Sequence, residues 1–398
     1  MEKFKLSDFD DIRPYAEGEM KGAFDSMLKD RKFSHILKGF VPWMPVGLRN
    51  WLLKLLFIGI KTPQDFQIRY MKHLVKHVLR KCATGYSCHF APSLKKNGSY
   101  TFMSNHRDIV LDSAILDVML VDEGFAKTVE IAIGDNLLIY PWIKTLVKMN
   151  KAFTVNRGLT PKETLRSSIH MSQYMHFAIN EKHENIWIAQ REGRAKDSND
   201  RTQESVLKML TLGGPVEGRS TADIIANIKD MNIVPLAISY EYDPCDYLKA
   251  QEFQLKRDVQ GWKKSKQDDL DNMKTGIFGK KGHIHYEAAP CINEWLDTLD
   301  AESIDKADIY RIIAEHIDKE IHRNYRIYPA NIVALAEVSG DESLFKEVTE
   351  QEHKEFEAYL KERISMVKVE NPDEPFLREK ILTMYANPLK NHIKSKEE

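Results

Sequence analysis

The chain runs to 398 residues, 42% of them apolar and 29% charged, with a formal net charge of −1. Apolar content on that scale suits one large buried core or two smaller ones, and excludes a disordered or low-complexity chain. The cysteines, Cys82, Cys88, Cys245 and Cys291, form no CxxC pair and sit near no histidine cluster at zinc spacing, so neither a disulfide framework nor a metal knuckle is indicated.

The opening "MEKFKLSDFDDIRPYAEGEM" is acidic and lacks the apolar core of a secretory signal, which points to the cytoplasm or to that face of a membrane. No run reaches the roughly 18 to 20 apolar residues of a spanning helix. Residues 31–100 carry nine Lys and four Arg against a single acid, Asp65, a local charge of +12 that the rest of the chain offsets with −13. Within them, "GFVPWMPVGLRNWLLKLLFIGIK" sets Trp43, Trp51, Leu52, Leu53, Leu55, Leu56, Phe57 and Ile58 beside Arg49, Lys54 and Lys61. It is too short to span a bilayer and too apolar for an ordinary surface. The following "QDFQIRYMKHLVKHVLRK" places Phe66, Tyr70, Leu74 and Val78 four apart among Arg69, Lys72, Lys76 and Arg80, a basic amphipathic helix. Two readings stand for residues 31–81: an anchor in the interface of an anionic membrane, or a helical pair packed on the protein's own core. Tryptophans flanked by leucines suit acyl chains better than phosphates, which argues against nucleic acid.

Past residue 98 the pattern becomes short β-rich runs separated by helices. "SYTFMSN" (99–105), "TVEIAIG" (128–134), "AFTVNR" (152–157), "NIWIAQ" (185–190), "NIVPLAISY" (232–240) and "GHIHYEA" (282–288) read as strands. Between them, "TPKETLRSSIHMSQYMHFAINEK" opens with Thr160 as cap, Pro161 in the first turn and Glu163 closing a capping box. The alternation predicts an α/β layered sheet. From 292 the chain is helical and highly charged, with "ENPDEP" as a break before the last helix, and is expected to cover the sheet or meet a partner. The expected division is a helical, basic N-terminal segment (1–98), an α/β domain (99–291) and a helical C-terminal extension (292–398).

"SNHRDIVLDSAIL" (104–116) lies where a strand ends and a helix begins, a place where backbone amides and polar side chains face outward. Its "HRD" invites a kinase reading, but Ser113 stands where a kinase needs Asn, no "DFG" follows and no GxGxxG precedes it. The alternative is a histidine general base whose second ring nitrogen is held by a carboxylate, with the substrate's own hydroxyl as nucleophile.

Three further blocks follow in order, "KAFTVNRG" (151–158), "IAQREGRAKD" (188–197) and "NIVPLAISYEY" (232–242), each with its distinctive residues at or beyond a strand end. With "NHRDIVLD" they resemble the four ordered blocks of the glycerolipid acyltransferases over residues 99–290. The matching features are His106, Arg157, the "REGR" of 191–194 and Val234-Pro235. The first block departs from the family's H-x4-D: Asp112 is six residues from His106 and is preferred as partner because it opens a helix, with Asp108 as the rival. The third block has Gln190-Arg191 where phenylalanine-proline is usual, and Ala195 for the threonine.

The resemblance implies a mixed sheet flanked by helices and an O-acyltransferase on the cytoplasmic face of a membrane, bound peripherally. Its donor would be an acyl-ACP or acyl-CoA thioester and its acceptor a lysophospholipid such as 1-acylglycerol-3-phosphate, with no metal and no further cofactor. His106 and Asp112 would be catalytic. Arg157 and Arg194 would hold the anionic headgroup, with Arg191 or Arg201 able to exchange roles with them. Glu192 would orient an arginine or bind an acceptor hydroxyl, and Gly193 would let the backbone approach closely. The alternatives are a lyso-ornithine or lyso-glycine lipid as acceptor, and a non-catalytic lipid-binding protein of the same fold.

Overall fold

The computed structural model describes residues 4–40, 42–214 and 219–397, so Val41 of the apolar basic stretch lies outside the described residues. Seven strands form one sheet: β1 (Ala83–Phe90), β2 (Thr101–Ser104), β3 (Val129–Gly134), β4 (Ala152–Val155), β5 (Asn185–Ala189), β6 (Ile233–Tyr240) and β7 (Gly282–Ala288). Their order is β1-β7-β6-β2-β5-β3-β4, and every neighbouring pair is parallel except β6 with β7. Parallel strands covered on both faces bury every residue, which is why "IVPLAISY" reads as a continuous apolar run.

Period-two alternation sends the strands' side chains to two cores. Phe102, Trp187, Val234 and Ile284 pack under the Leu111–Asp122 helix, while Met103, Ile186, Ile188 and Ala237 face the Pro161–Asn180 and Ile309–Arg323 helices. The Pro161–Asn180 helix starts as its capping box dictates, with Thr160 Oγ1 accepting from Glu163 N. Ile309, Ile313, Ile317 and Ile321 sit in this second core, so the C-terminal segment begins by covering the sheet. Its last three helices, Pro329–Ser339, Glu350–Ser365 and Glu374–Glu397, pack mainly on one another and on Ala250. There Glu337, His353 and Glu357 bring ligand atoms within 4.8 Å of one another, and Arg378 bonds both carboxylates.

Two expectations change. β1 lies ahead of residue 99, so the sheet begins inside the segment read as helical throughout. The helical run from Pro63 to Cys82 contains a π turn at Gln67–Met71 and buries Phe66, Val75 and Leu79, whereas Leu74 is exposed. A strict four-residue spacing drifts around a helix of 3.6 residues per turn, so Phe66, Tyr70, Leu74 and Val78 cannot share one buried line. Lys72 and Lys76 of this run both pair with Asp122 at the exposed end of the Leu111–Asp122 helix, which fastens the run to that helix.

Candidate active site

The four blocks read from sequence meet for a topological reason. β2, β4, β5 and β6 run the same way, so the loops that follow them, from residues 105, 156, 190 and 241, leave one rim of the sheet. The crevice outside the carboxyl ends of parallel strands is where open α/β sheets bind ligands.

β2 stops at Ser104, and Asn105 takes over its pairing by side chain: Nδ2 donates to Ile238 O at 2.9 Å and Oδ1 accepts from Ile238 N at 2.8 Å. That clamp sets where the next residue emerges. His106 Nδ1 lies 2.8 Å from Asp112 Oδ2, and the same oxygen accepts from Arg107 N at 2.7 Å and Asp108 N at 3.0 Å. Asp112 Oδ1 accepts from the Tyr240 hydroxyl at 3.2 Å, while the Tyr286 hydroxyl donates to the Asp112 carbonyl at 2.9 Å. The buried carboxylate is thus fully satisfied, and a carboxylate facing Nδ1 leaves the basic lone pair of a neutral ring on Nε2. Nε2 has no hydrogen-bond partner among the described residues, and the ring packs edge-on to Trp187, with centroids 5.6 Å apart.

Asp108 does not face the ring. Its Oδ1 accepts from Val110 N and Leu111 N, both at 2.8 Å, and so closes the first turn of the Leu111–Asp122 helix. Burial and the nearby Asp112 push its carboxyl above the usual range. The added residue between His106 and Asp112 therefore turns the loop and caps the helix, and the histidine keeps the later aspartate. Arg107 points inward to Asp200, with Nη2 2.7 Å from Oδ2, and the Tyr325 hydroxyl donates to that oxygen at 2.7 Å. Burial lowers the affinity of the Arg107 guanidinium for its proton, but Asp200 more than offsets this and the group stays charged.

The remaining predicted residues form two groups. Arg157 Nη1 lies 3.2 Å from Glu192 Oε1 at the open rim, with Asp135 Oδ1 accepting from Arg157 N at 3.1 Å. A Cβ on Gly134 would stand 2.8 Å from Arg157 Nε, so that glycine makes room for the guanidinium. Gly193 has φ +70°, and a Cβ there would meet nothing within 4 Å. The left-handed turn, rather than a close approach, is what calls for glycine at this position. Arg194 turns away from this pair: its Nη2 donates to Asn272 Oδ1 at 3.0 Å in the Lys266–Phe278 helix. Burial lowers its proton affinity, but Cys245, Asp243 and Asp108 outweigh that and hold it charged. Arg201 is exposed, and Arg191 is half-buried.

Buried polar atoms without partners gather along these two loops: Arg107 Nη1, Asp108 Oδ2, both amide atoms of Gln190, Arg191 Nε, Arg194 Nη1 and Asp200 Oδ1. Groups of this kind cost about 1–3 kcal/mol each unless a ligand or water satisfies them. The motifs and strands read from sequence contain Asn105, Arg107, Gln190, Tyr240 and Tyr286 without a role for any of them, and Asp200 and Gly276 lie outside those motifs. A Cβ on Gly276 would stand 2.5 Å from Asp108 Oδ2, so this glycine lets the Lys266–Phe278 helix rest on the histidine loop.

Residues 86–239 match the family model described as Acyltransferase, a span that starts in β1 and reaches into the fourth block. No curated protein matches the chain. Among solved structures it is similar to the 1-acyl-sn-glycerophosphate (LPA) acyltransferase PlsC from Thermotoga maritima, with 10% identity, a TM-score of 0.34, and coverage of 76% of this chain and 93% of that one. A likeness at that TM-score carries neither substrate nor mechanism.

Proposed function

From the premise that the chain carries an acyltransferase-family domain over residues 86–239, we propose that it moves an acyl group from a thioester to a hydroxyl of an anionic lysolipid such as 1-acylglycerol-3-phosphate. The observation that carries this reading is His106, held through Nδ1 by a fully satisfied Asp112, with Nε2 unpaired at the carboxyl rim of the sheet. His106 Nε2 takes the proton of the acceptor hydroxyl as its oxygen attacks the thioester carbonyl carbon. The carbon–sulfur bond breaks, the sulfur leaves as a thiolate that takes the proton from Nε2, and the new ester departs without an acyl-enzyme. Asp112 orients the ring and stabilises the imidazolium formed in between. Arg157, more than a third exposed and ion-paired among the described residues with the exposed Glu192 alone, is the guanidinium best placed to meet a headgroup phosphate. Arg194 serves the site from behind by fixing the Glu192–Arg194 turn to the Lys266–Phe278 helix.

Acyl transfer in mixed micelles tests this, with labelled acyl-carrier-protein and acyl-coenzyme A donors against lysophosphatidate and lyso-aminolipid acceptors. Product with lysophosphatidate, and an acceptor KM raised about tenfold or more in Arg157→Ala, is the expected result. Product with the aminolipids alone would replace the acceptor, and no product with any pair would favour a lipid-binding protein.

We also propose that the chain sits peripherally on an anionic membrane through the Val46–Leu56 helix and its flanks. Trp43 is 75% exposed, Trp51 56%, Leu56 61% and Ile58 69%, a clustering of large apolar side chains that water does not favour. No described helix is long and apolar enough to cross a membrane. Trp43→Ala with Trp51→Ala is expected to lower sedimentation with anionic vesicles several-fold. Equal sedimentation of the double variant and the parent would remove this face from the membrane.

A further inference from the structure

At its β1 end the sheet changes character on the face opposite the Leu111–Asp122 helix. Farther along, that face is apolar, with Met103, Ile186, Ile188 and Ala237 in the core. Where β1 pairs with β7 it carries Ser87 and His89 opposite His285 and Glu287, with His283 one step before them on β7. None of these residues takes part in the site around His106, whose partners Tyr240 and Tyr286 turn to the other face.

The polar side chains form one hydrogen-bonded row. His285 Nε2 lies 3.0 Å from Glu287 Oε2, and His89 Nδ1 meets Oε1 of the same carboxylate. Burial raises the proton affinity of Glu287, but His285 and His89 outweigh it and hold the carboxyl below its ordinary range. An ionised carboxylate only accepts, so a neutral His285 ring carries its proton on Nε2 and keeps a lone pair on Nδ1. Ser87 Oγ lies 2.8 Å from that Nδ1, so its hydroxyl is the donor. His283 Nε2 is 3.3 Å from the same oxygen, and its Nδ1 is 2.9 Å from the Tyr328 hydroxyl. Burial first, then Arg326 and His285, lower the proton affinity of His283, which favours a neutral ring beside the serine. The Arg326 backbone N–H donates to Ser239 Oγ at 3.0 Å, and Ser239 stands opposite His285 on β6. The exposed Arg326 guanidinium has no ion pair among the described residues and lies 5.7 Å from the Tyr328 ring. Solvent reaches the row, since His89 is exposed and Ser87, His285 and Glu287 are only half-buried.

A hydroxyl aimed at a base that is itself oriented by a carboxylate has the geometry of an activated nucleophile. We propose that Ser87, His285 and Glu287 form a second reactive site, a serine nucleophile for small anionic esters, independent of the acyl-transfer reading at His106. Ser87 Oγ attacks the ester carbonyl carbon as its proton passes to His285 Nδ1. The bond from that carbon to the leaving oxygen breaks, and the leaving oxygen takes the proton. Water then repeats the sequence on the acyl-serine, releasing the acid and restoring the hydroxyl. Glu287 stabilises the imidazolium formed at each step, and Arg326 is the unpaired cation available to the substrate's negative charge.

The test is incubation of the full chain with a fluorophosphonate, whose phosphorus an activated serine attacks with loss of fluoride, followed by peptide mass mapping. The label is expected on Ser87, formed on the order of 100-fold more slowly in His285→Ala and about tenfold more slowly in Glu287→Gln. Hydrolysis of 4-acetoxybenzoate should fall in the same order. Arg326→Ala should raise the KM for that anion and leave neutral phenyl acetate unchanged. A parent without label on Ser87, or labelling equally fast in His285→Ala, would overturn the assignment. Ester hydrolysis that survives Ser87→Ala and is lost in His106→Ala would overturn it as well, by giving the reaction to the first site. Because no thioester or lysolipid is present in either assay, failure of the acyl-transfer reading leaves this result unaffected.

Discussion

Replacing His106 with alanine is expected to lower acyl-transfer turnover on the order of 10³-fold, within the 10²–10⁴ that a positioned general base contributes, while the fold survives. The ring is half-buried and makes one hydrogen bond, to Asp112, so its loss leaves the sheet and the Leu111–Asp122 helix standing. Asp112→Asn is the more searching change. The carboxylate accepts from His106, Arg107 N, Asp108 N and Tyr240, and an amide can turn only one oxygen toward those donors. With its oxygen toward the loop, the amide still holds the ring but no longer stabilises an imidazolium, so turnover falls with little change in acceptor KM. With its nitrogen toward the loop, the backbone donors of residues 107 and 108 lose their partner and stability falls as well. Turnover and melting temperature measured on both variants separate these outcomes. Parental turnover in a folded His106→Ala protein would remove the histidine from the chemistry.

Asp108 marks how far the spacing in this stretch could be read. Asp112 is distinguished in sequence by opening an apolar helix, and His106 bonds to it. What spacing could not supply was the use of the additional residue, because a cap depends on the direction in which the loop leaves β2, and the Asn105 clamp on Ile238 sets that. The strands from β2 to β7 were legible because each is a short apolar run between helical patterns, and the family resemblance added to the mixed sheet they form. β1 was not read as a strand, although Tyr86, Cys88 and Phe90 alternate with Gly85, Ser87 and His89 and turn to the core under the Leu111–Asp122 helix. It follows the Lys72–Cys82 helix without any intervening turn residues, and as an edge strand with one neighbour it stays half-exposed. The arginines show a similar limit. Arg157 and Arg194 have equivalent standing in the motifs, yet one lies on the open rim and the other turns inward, giving Nη2 to Asn272, a residue 78 positions away, and leaving Nη1 without a partner among the described residues.

The largest loss of stability is expected from Arg107→Ala, about 3–5 kcal/mol, because it strands a buried carboxylate. Asp200 is almost fully buried, and its charge is balanced by Arg107 at 2.7 Å and supported by the Tyr325 hydroxyl. The pair joins the histidine loop after β2 to the loop after β5 and to the end of the Ile309–Arg323 helix, three segments distant in sequence. Removing both charges in Arg107→Ala/Asp200→Asn should recover much of the loss, since the cost lies in the unpaired charge and not in the missing contact. Denaturant unfolding of the two single variants and the double variant yields the coupling directly, and a double variant no more stable than Arg107→Ala would sink this account. Catalysis gives a second reading of the same cycle. The Arg107 backbone N–H to Asp112 is untouched by the substitution, so a double variant that folds should keep its His106–Asp112 geometry and a large share of parental turnover. If turnover instead collapses in the folded double variant, the Arg107 guanidinium, whose Nη1 has no hydrogen-bond partner among the described residues, acts on the substrate rather than on the loop.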